Sequence, residues 1–349
     1  MTILVTGSAG FLGNYIMEFF AGQGHSMIGI DNLSRKGSTL NATRQLNDHR
    51  IKFHVCDIAD EKKLSLIVEG YESIDWIIDC AAEPSVLAGI ESGTRSLINN
   101  NLISTINLLE ICREHKCGFI LMSTSRVYSI KSLSEIETVE LVDRFLPMNV
   151  RGVSESFSTA SPISLYGSTK LTSEILAKEY SQTFQFPLWV NRCGVIAGPG
   201  QFGKIDQGVF SYWIYSWIRR NPLNYIGFGG TGKQVRDVIH PFDICQVLNQ
   251  QIADRSIEED PTYNLGGGID NSMSLLQLSK WCKSNIDDDD SIVTSSNLNR
   301  PFDIPVFIMD STKAKNRWNF TISRDLNQIL EEIRSYTVDH PEFIEYLYS

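Results

Sequence analysis

The sequence predicts an α/β fold: a doubly wound parallel sheet followed by a smaller C-terminal α+β lobe. Three observations carry that reading. Short apolar runs alternate with amphipathic stretches through the first half of the chain, the rhythm of repeated βαβ units. A glycine triplet, Gly7, Gly10 and Gly13, falls between the first apolar run and the first helical stretch. After about residue 197 the rhythm stops, and glycines cluster in GPGQFG, GFGGTGK and NLGGG.

Taken in order, TILVT (2–6) is a continuous apolar run, as expected of a strand covered on both faces. FLGNYIMEFFAGQG follows with helical spacing and closes on glycine. SMIGID (26–31), IKFHVCD (51–57), DWIIDCA (75–81) and GFILMST (118–124) read as four further strands. Before the last of these, TRSLINNNLISTINLLEICREH predicts one long amphipathic helix over 94–115. A helix over about 166–183 leads to a sixth strand in FPLWVNRCGV (186–195). The expected division is a first domain over 1–195 and a second over 196–349, interleaved with the first near its end. VFSYWIYSWIRR (209–220) reads as a core helix of the second lobe, and IDDDDS (286–291) as a solvated acidic turn.

The chain has 349 residues, enough for one large domain or two fused ones. Apolar residues make up 42% and charged residues 21%, the balance of a soluble globular protein. No apolar run reaches the ~18 residues of a membrane span, so no membrane partner is expected. A net charge of −10 disfavours nucleic acid and anionic surfaces. Seven cysteines, most in apolar runs such as IIDCAA and none in C-x-x-C, read as reduced core residues. Six scattered histidines without H-x-x-x-H predict no metal site. The start, MTILVTGSAG, enters a strand pattern without a basic stretch or a cleavage site, so a cytoplasmic protein is expected.

The chemistry begins at the glycines. A tight turn and a close phosphate approach both require residues without a Cβ, and the helix behind them favours a pyrophosphate. Asp31 ends the second strand, where a carboxylate accepts hydrogen bonds from a ribose diol and repels a 2′-phosphate. That favours NAD over NADP, although Arg35 and Lys36 follow closely. Asp57, at the end of the third strand, is placed either to meet an adenine or to cap the next helix. SLYGSTK (164–170) sets Tyr166 and Lys170 one helical turn apart on one face.

The spacing G-x-x-G-x-x-G, followed in order by CAAEPSV (80–86), MSTSRVY (122–128), YGSTK and RPFDIPVFIMDSTKA (300–314), resembles the extended short-chain dehydrogenase/reductase superfamily. Within it the chain is similar to the NAD-dependent nucleotide-sugar epimerases and dehydratases. The resemblance implies a Rossmann-type domain holding NAD and a nucleotide-diphosphate sugar in the cleft to the C-terminal lobe. It also implies a homodimer formed through helices 94–115 and 166–183. Its catalytic set is Thr124, Tyr166 and Lys170. Tyr166 is then the base, Lys170 its activator and a ribose ligand, and Thr124 a hydrogen-bond partner of the reacting hydroxyl. A free tyrosine has a pKa of about 10, and a nearby ammonium lowers it by favouring tyrosinate. The implied cofactor contacts are Gly7, Gly10, Phe11, Leu12, Gly13, Asp31, Asn32, Asp57, Ile58, Ala81, Ala82, Ser123, Tyr166, Lys170 and Cys193. The implied substrate contacts are Arg126, Gln201, Gln207, Arg236 and Arg300, with His240 as a further sugar contact.

The residues after Thr124 discriminate between reactions. The 4,6-dehydratases carry an acidic residue or an acidic pair there, whereas this chain has Ser125 and Arg126. A guanidinium stays charged and cannot act as a general acid, which argues against dehydration. GQFGKIDQGVFSYWI, GTGKQVRDVIHPFDI and YNLGGGIDNSMSLLQL resemble the epimerases that act at C2 of CDP-dideoxy sugars such as CDP-paratose. That resemblance implies oxidation at C2, rotation of the keto sugar and return of the hydride to its other face. The alternatives are C4-epimerisation or keto-sugar reduction and, in another class, a dinucleotide-binding regulator without turnover. The intact Thr124–Tyr166–Lys170 set argues against the regulator.

Overall fold

The computed structural model describes residues 1–85, 93–205, 207–296, 298 and 302–348. Arg300 lies outside the described residues. In chain order the first half runs β1 (Thr2–Thr6), α1 (Phe11–Gly22), β2 (Ser26–Asp31), α2 (Ser38–Leu46), β3 (Ile51–Val55), α3 (Glu61–Val68) and β4 (Trp76–Asp79). It continues with α4 (Thr94–Ile98), a π-helical turn (Asn99–Ile103), α5 (Ser104–His115) and β5 (Gly118–Thr124). A 3-10 turn (Ser125–Val127), α6 (Ile130–Ser134), β6 (Thr138–Glu140) and β7 (Phe145–Pro147) lead to α7 (Leu165–Phe184). The rest comprises β8 (Leu188–Cys193), β9 (Val195–Ile196), α8 (Val209–Ile218), β10 (Leu223–Ile226), β11 (Val235–Ile239), α9 (Pro241–Ala253), β12 (Thr262–Leu265) and β13 (Ser272–Ser274). It closes with α10 (Leu275–Asn285), β14 (Val293–Ser296), β15 (Val306–Phe307), α11 (Thr312–Trp318), α12 (Leu326–Asp339) and α13 (Pro341–Tyr348).

Seven strands form one sheet in the order β12-β8-β5-β4-β1-β2-β3. The pairings β3–β2, β2–β1, β1–β4 and β4–β5 are parallel. Their register sets Thr6 beside both Ile30 and Asp79, so neighbouring strands end level. β1, β4 and β5 are buried along almost their whole length, which is why they read as unbroken apolar runs. On one face, Leu108, Leu109, Ile111 and Cys112 of α5 and Ala177 of α7 pack against Leu4, Ile77, Phe119 and Val190.

The helix expected over 94–115 is interrupted by the π-helical turn. Hydrophobic spacing does not report that change. Within that turn the side chain of Asn101 bonds outside its own helix, to Glu83 and to Thr169 Oγ1.

The chain divides into two compact units, and the division differs from the one expected at residue 195. The first unit is Met1–Val127, Leu165–Arg192 and Ile244–Tyr263. The second is Tyr128–Ser164, Cys193–Asp243 and Asn264–Ser349. The physical reason lies in two segments. The β6–β7 hairpin bonds within the second unit: the Phe145 amide donates to the Lys233 carbonyl at 3.0 Å, and Arg144 Nη2 donates to Ser272 Oγ at 2.7 Å. Residues of α9 return to the first unit, where the carboxamides of Gln251 and Asn191 exchange two bonds of 2.8 Å.

In the second unit β11 is central, pairing antiparallel with β13 and parallel with β15 and β9. α8 is the expected core helix: Trp213 stacks on Tyr225 with centroids 5.6 Å apart. The acidic turn after α10 is held by basic partners. Arg220 pairs with Asp287 and Asp289, and Lys283 with Asp290.

Candidate active site

The predicted cofactor residues of the first unit gather where the parallel strands end. Thr6, Asp31, Asp79 and Thr124 close β1, β2, β4 and β5, and ligands of open α/β sheets bind at that edge. Gly7 adopts φ +61°, and a Cβ on it would lie 2.9 Å from the Ala81 backbone. A Cβ on Gly13 would lie 2.1 Å from the Gly7 carbonyl. The turn and the first turn of α1 therefore pack backbone on backbone, and no side chain caps the amides of α1 at Gly10. Phe11 and Leu12 open that helix.

Asp31 is 9% exposed and accepts the amides of Ala9 at 3.1 Å and Leu33 at 2.8 Å. Burial pushes its carboxyl above the ordinary range, and these N–H groups oppose the shift. Asn32 takes the Ser34 amide at 3.1 Å and shapes the same loop. Asp57 takes the Ala59 amide at 3.0 Å. The capping role considered for it belongs instead to Asp60, which accepts from Lys63 N. Ile58 is buried, and its carbonyl accepts from Asn107. The Ala81 amide reaches Thr6 Oγ1 at 3.3 Å, and Ala82 follows in the same half-buried loop.

Thr124 is the last residue of β5, and its Oγ1 accepts the Arg126 amide at 3.2 Å. Its hydroxyl proton is thus left to donate elsewhere. Tyr166 and Lys170 lie on the first turns of α7, 7% and 2% exposed. Lys170 makes no ion pair and no hydrogen bond among the described residues. A buried ammonium in that position fits a polar ligand such as a ribose diol.

Asn101 ties this corner together. It accepts the Glu83 amide at 2.8 Å, donates to the Glu83 carbonyl at 3.1 Å and donates to Thr169 Oγ1 at 3.2 Å. Ser173 Oγ of α7 donates to its carbonyl at 3.0 Å. Sequence reasoning did not single out Asn101. The available signal was the run Asn99–Asn101 inside a helical pattern, since asparagine is a poor helix former. Ser123 was expected to line the cofactor, but its hydroxyl donates to Glu174.

The predicted substrate residues divide between the units. Arg126 belongs to the first; Gln201, Gln207 and Arg236 belong to the second, as does Cys193. The carboxamide of Gln201 is engaged at both ends, donating to the Ile196 carbonyl at 2.8 Å and accepting from Ser211 Oγ at 2.6 Å. Gln201 therefore pins its own loop. Gln207 exchanges backbone bonds with Lys204. Arg236 donates to Asp303 Oδ1 at 3.0 Å and to the Val235 carbonyl at 2.7 Å. Asp237 takes no part in that pair. It is fully buried, accepts the amides of Gly268 and Met309, and is pushed up to about 6 by burial.

His240 is 3% exposed, and its Nδ1 accepts the Phe242 amide at 3.1 Å. It satisfies a donor in the first turn of α9, and its Nε2 lies 3.3 Å from Glu332 Oε2. Burial and the charge of Arg324 push its imidazole down to about 3.

The profile of the NAD dependent epimerase/dehydratase family matches residues 3–266. The chain belongs to that family. Its cofactor is NAD, and the glycine turn, Asp31 and Lys170 fit it. The epimerase/dehydratase chain is 29% identical to the CDP-paratose 2-epimerase of Salmonella typhi over 323 residues, 90% of this chain and 93% of that one. It is also 29% identical to the UDP-glucuronate 4-epimerase of Thermodesulfobacterium geofontis over 282 residues, 79% of this chain and 77% of that one. Among solved structures it resembles the UDP-glucuronic acid 4-epimerase of Bacillus cereus in complex with UDP-glucuronic acid and NAD. The TM-score is 0.78 and the identity 26%, covering 97% of this chain and 99% of that one. This member of the family is an NAD-dependent nucleotide-sugar enzyme, and among its described residues no helix is long and apolar enough to cross a membrane.

Proposed function

We propose that the protein epimerises a nucleotide-diphosphate sugar, and that its substrate is a CDP-dideoxy sugar inverted at C2. The observation that carries epimerisation is that Thr124 ends β5 and Tyr166 and Lys170 open α7, which packs on β5, with Ser125 and Arg126 where an acid would be needed for dehydration. Likeness over nine-tenths of the chain to a CDP-paratose 2-epimerase supports the CDP nucleotide and C2.

When bound, NAD would supply the hydride acceptor for the carbinol carbon and, as its reduced form, the hydride that restores it. The protein's own residues manage the proton and the orientation. Thr124 donates a hydrogen bond to the reacting hydroxyl. Tyr166, as tyrosinate, accepts that hydroxyl's proton and gives it back once the keto sugar has turned over. Lys170 favours tyrosinate by its charge and holds the nicotinamide ribose. Asp31 accepts from the adenosine ribose. Arg126 is proposed as a substrate contact and Arg236 as a ligand of the diphosphate, which a planar guanidinium grips with two nitrogens. Arg300 is proposed alongside them from its motif, and Gln207 as a sugar contact.

The likeness to 4-epimerases of UDP-glucuronate supports a second reading, inversion at C4. Proton NMR of the product separates the two: inverted configuration at C2 upholds the first, and inverted configuration at C4 the second. A homodimer is proposed through α4, the π-helical turn, α5 and α7. Those elements expose Ile98, Ile103, Leu165 and Ile175, an apolar set that a partner copy would cover.

A further inference from the structure

We propose that Arg192 is a positioning residue for the catalytic pair: it turns the Glu174 carboxylate away from Lys170, so that the ammonium charge acts on Tyr166. The inference rests on the reading of Tyr166 and Lys170 as base and activator.

Tyr166, Lys170 and Glu174 follow one another at intervals of four along α7, and all are buried, at 7%, 2% and 1% exposure. Residues at that interval have Cβ atoms about 6 Å apart, close enough for an ammonium and a carboxylate to join. With little water to screen them the attraction is strong, and a captured Lys170 would lose most of its effect on the tyrosine. The pair is not formed: Lys170 makes no ion pair among the described residues. Glu174 is committed to Arg192 at the end of β8. Arg192 Nε donates to both carboxylate oxygens at 3.1 Å, and Nη2 donates to Oε2 at 2.7 Å. Ser123 Oγ donates to Oε1. These contacts match the roughly four lone-pair positions of a carboxylate. An arginine suits the task because its charge is permanent and its fork grips both oxygens at once. Arg192 is itself 5% exposed.

Other charged groups face α7 from the elements packed on it. Arg126 follows β5, Arg95 lies on α4, Asp79 ends β4 with Glu83 beyond it, and Glu110 and Arg113 lie on α5. Glu110 is engaged by Arg113 and by the hydroxyl of Tyr180. Asp79 is engaged by Thr6 and Thr105. Glu174 is the carboxylate one helical turn from Lys170, so it is the competitor that must be held.

The test is an ultraviolet titration of tyrosinate on the NAD-loaded enzyme, taken as the difference between each background and the same background carrying Tyr166→Phe. Arg192→Met is expected to raise the apparent pKa of Tyr166 by about one unit, or about tenfold less tyrosinate at neutral pH. The double variant Glu174→Gln/Arg192→Met is expected to return to the parent value, because no carboxylate remains to capture Lys170. A merely structural loss would lower the unfolding temperature without moving this titration. A folded Arg192→Met that titrates like the parent overturns the proposal, as does a double variant shifted as far as the single one. If Arg192→Met does not fold, Arg192→Lys is expected to shift the same way by less. If neither folds, a double variant titrating above the parent still overturns the proposal. Loss of turnover in Tyr166→Phe with an unmoved titration removes only the role of Arg192. Full turnover in Tyr166→Phe removes the reading of the base, and this proposal with it.

Discussion

One oxygen atom separates Tyr166 from phenylalanine, and the proposed chemistry rests on it. Tyr166→Phe is expected to keep the fold and bind NAD while turnover falls by ~10² or more, the low end of general-base contributions. Parallel assays of NAD binding and of turnover on CDP-paratose and UDP-glucuronate check this. Asp31→Asn tests the ribose contact more cleanly than Asp31→Ala. The Ala9 and Leu33 amides bond to different oxygens of the Asp31 carboxylate, so an asparagine keeps one of those bonds where an alanine loses both, and weaker NAD binding by calorimetry with the fold preserved would report the lost ribose acceptor. The residues legible in the sequence share one property: their chemistry constrains their near neighbours. Gly7 and Gly13 are fixed by one turn, and Tyr166 and Lys170 by one helical period. Asn101, Glu174 and Arg192 act on partners remote in sequence. Asn101 meets Thr169 across 68 positions and Ser123 meets Glu174 across 51, and no local pattern records such pairs. The role of His240 was hidden for the opposite reason, because a histidine before a proline is equally compatible with a ligand and with a turn.

Six strands were legible in the sequence, five of them (β1, β2, β4, β5 and β8) as apolar runs because they are buried along almost their whole length, and β3 despite its partial exposure at the sheet edge. Their ends were less so: β3 and β4 each stop two residues before the apolar run does. The break between α4 and α5 was not legible, since the apolar stripe continues through it. At this scale the exposed isoleucines make a prediction. Ile175 is 54% exposed on α7 and Ile103 is 39% exposed on the π-helical turn. Charged substitutions there cost an isolated subunit little but oppose an apolar interface. Ile103→Glu/Ile175→Lys is expected to shift the protein from dimer to monomer in light scattering, with its helical circular dichroism preserved. A parent protein that is already monomeric would refute the interface.

For the molecule as a whole, the balance of atoms decides the reaction. Epimerisation removes a hydride and restores it, so product and substrate should have equal mass, with NAD released on denaturation and no NADH accumulating in turnover. A product lighter by one water would overturn the argument from Arg126. Acid stability is also a property of the whole chain. Folding lowers the His240 pKa from 6.5 to about 3. The unfolded chain therefore binds the extra proton first as pH falls. The stability His240 contributes is complete above 6.5 and is lost progressively on acidification toward 3. His240→Asn keeps an acceptor for the Phe242 amide and cannot be protonated. Its melting temperature should fall less steeply than the parent's between neutral and acidic pH, which scanning fluorimetry can follow.

The chain passes from one compact unit to the other at Val127, Ser164, Arg192, Asp243 and Tyr263. A gene fragment stopping at residue 195 would encode β8 without β12, its neighbour in the sheet, and without Gln251, which bonds to Asn191 and Trp189. Such a fragment should be recovered as insoluble or protease-sensitive material. Neither unit is a cassette that recombination could lift out at a single junction. Exchange of either unit between relatives would need several matched junctions at once, because each is assembled from three separate stretches of chain.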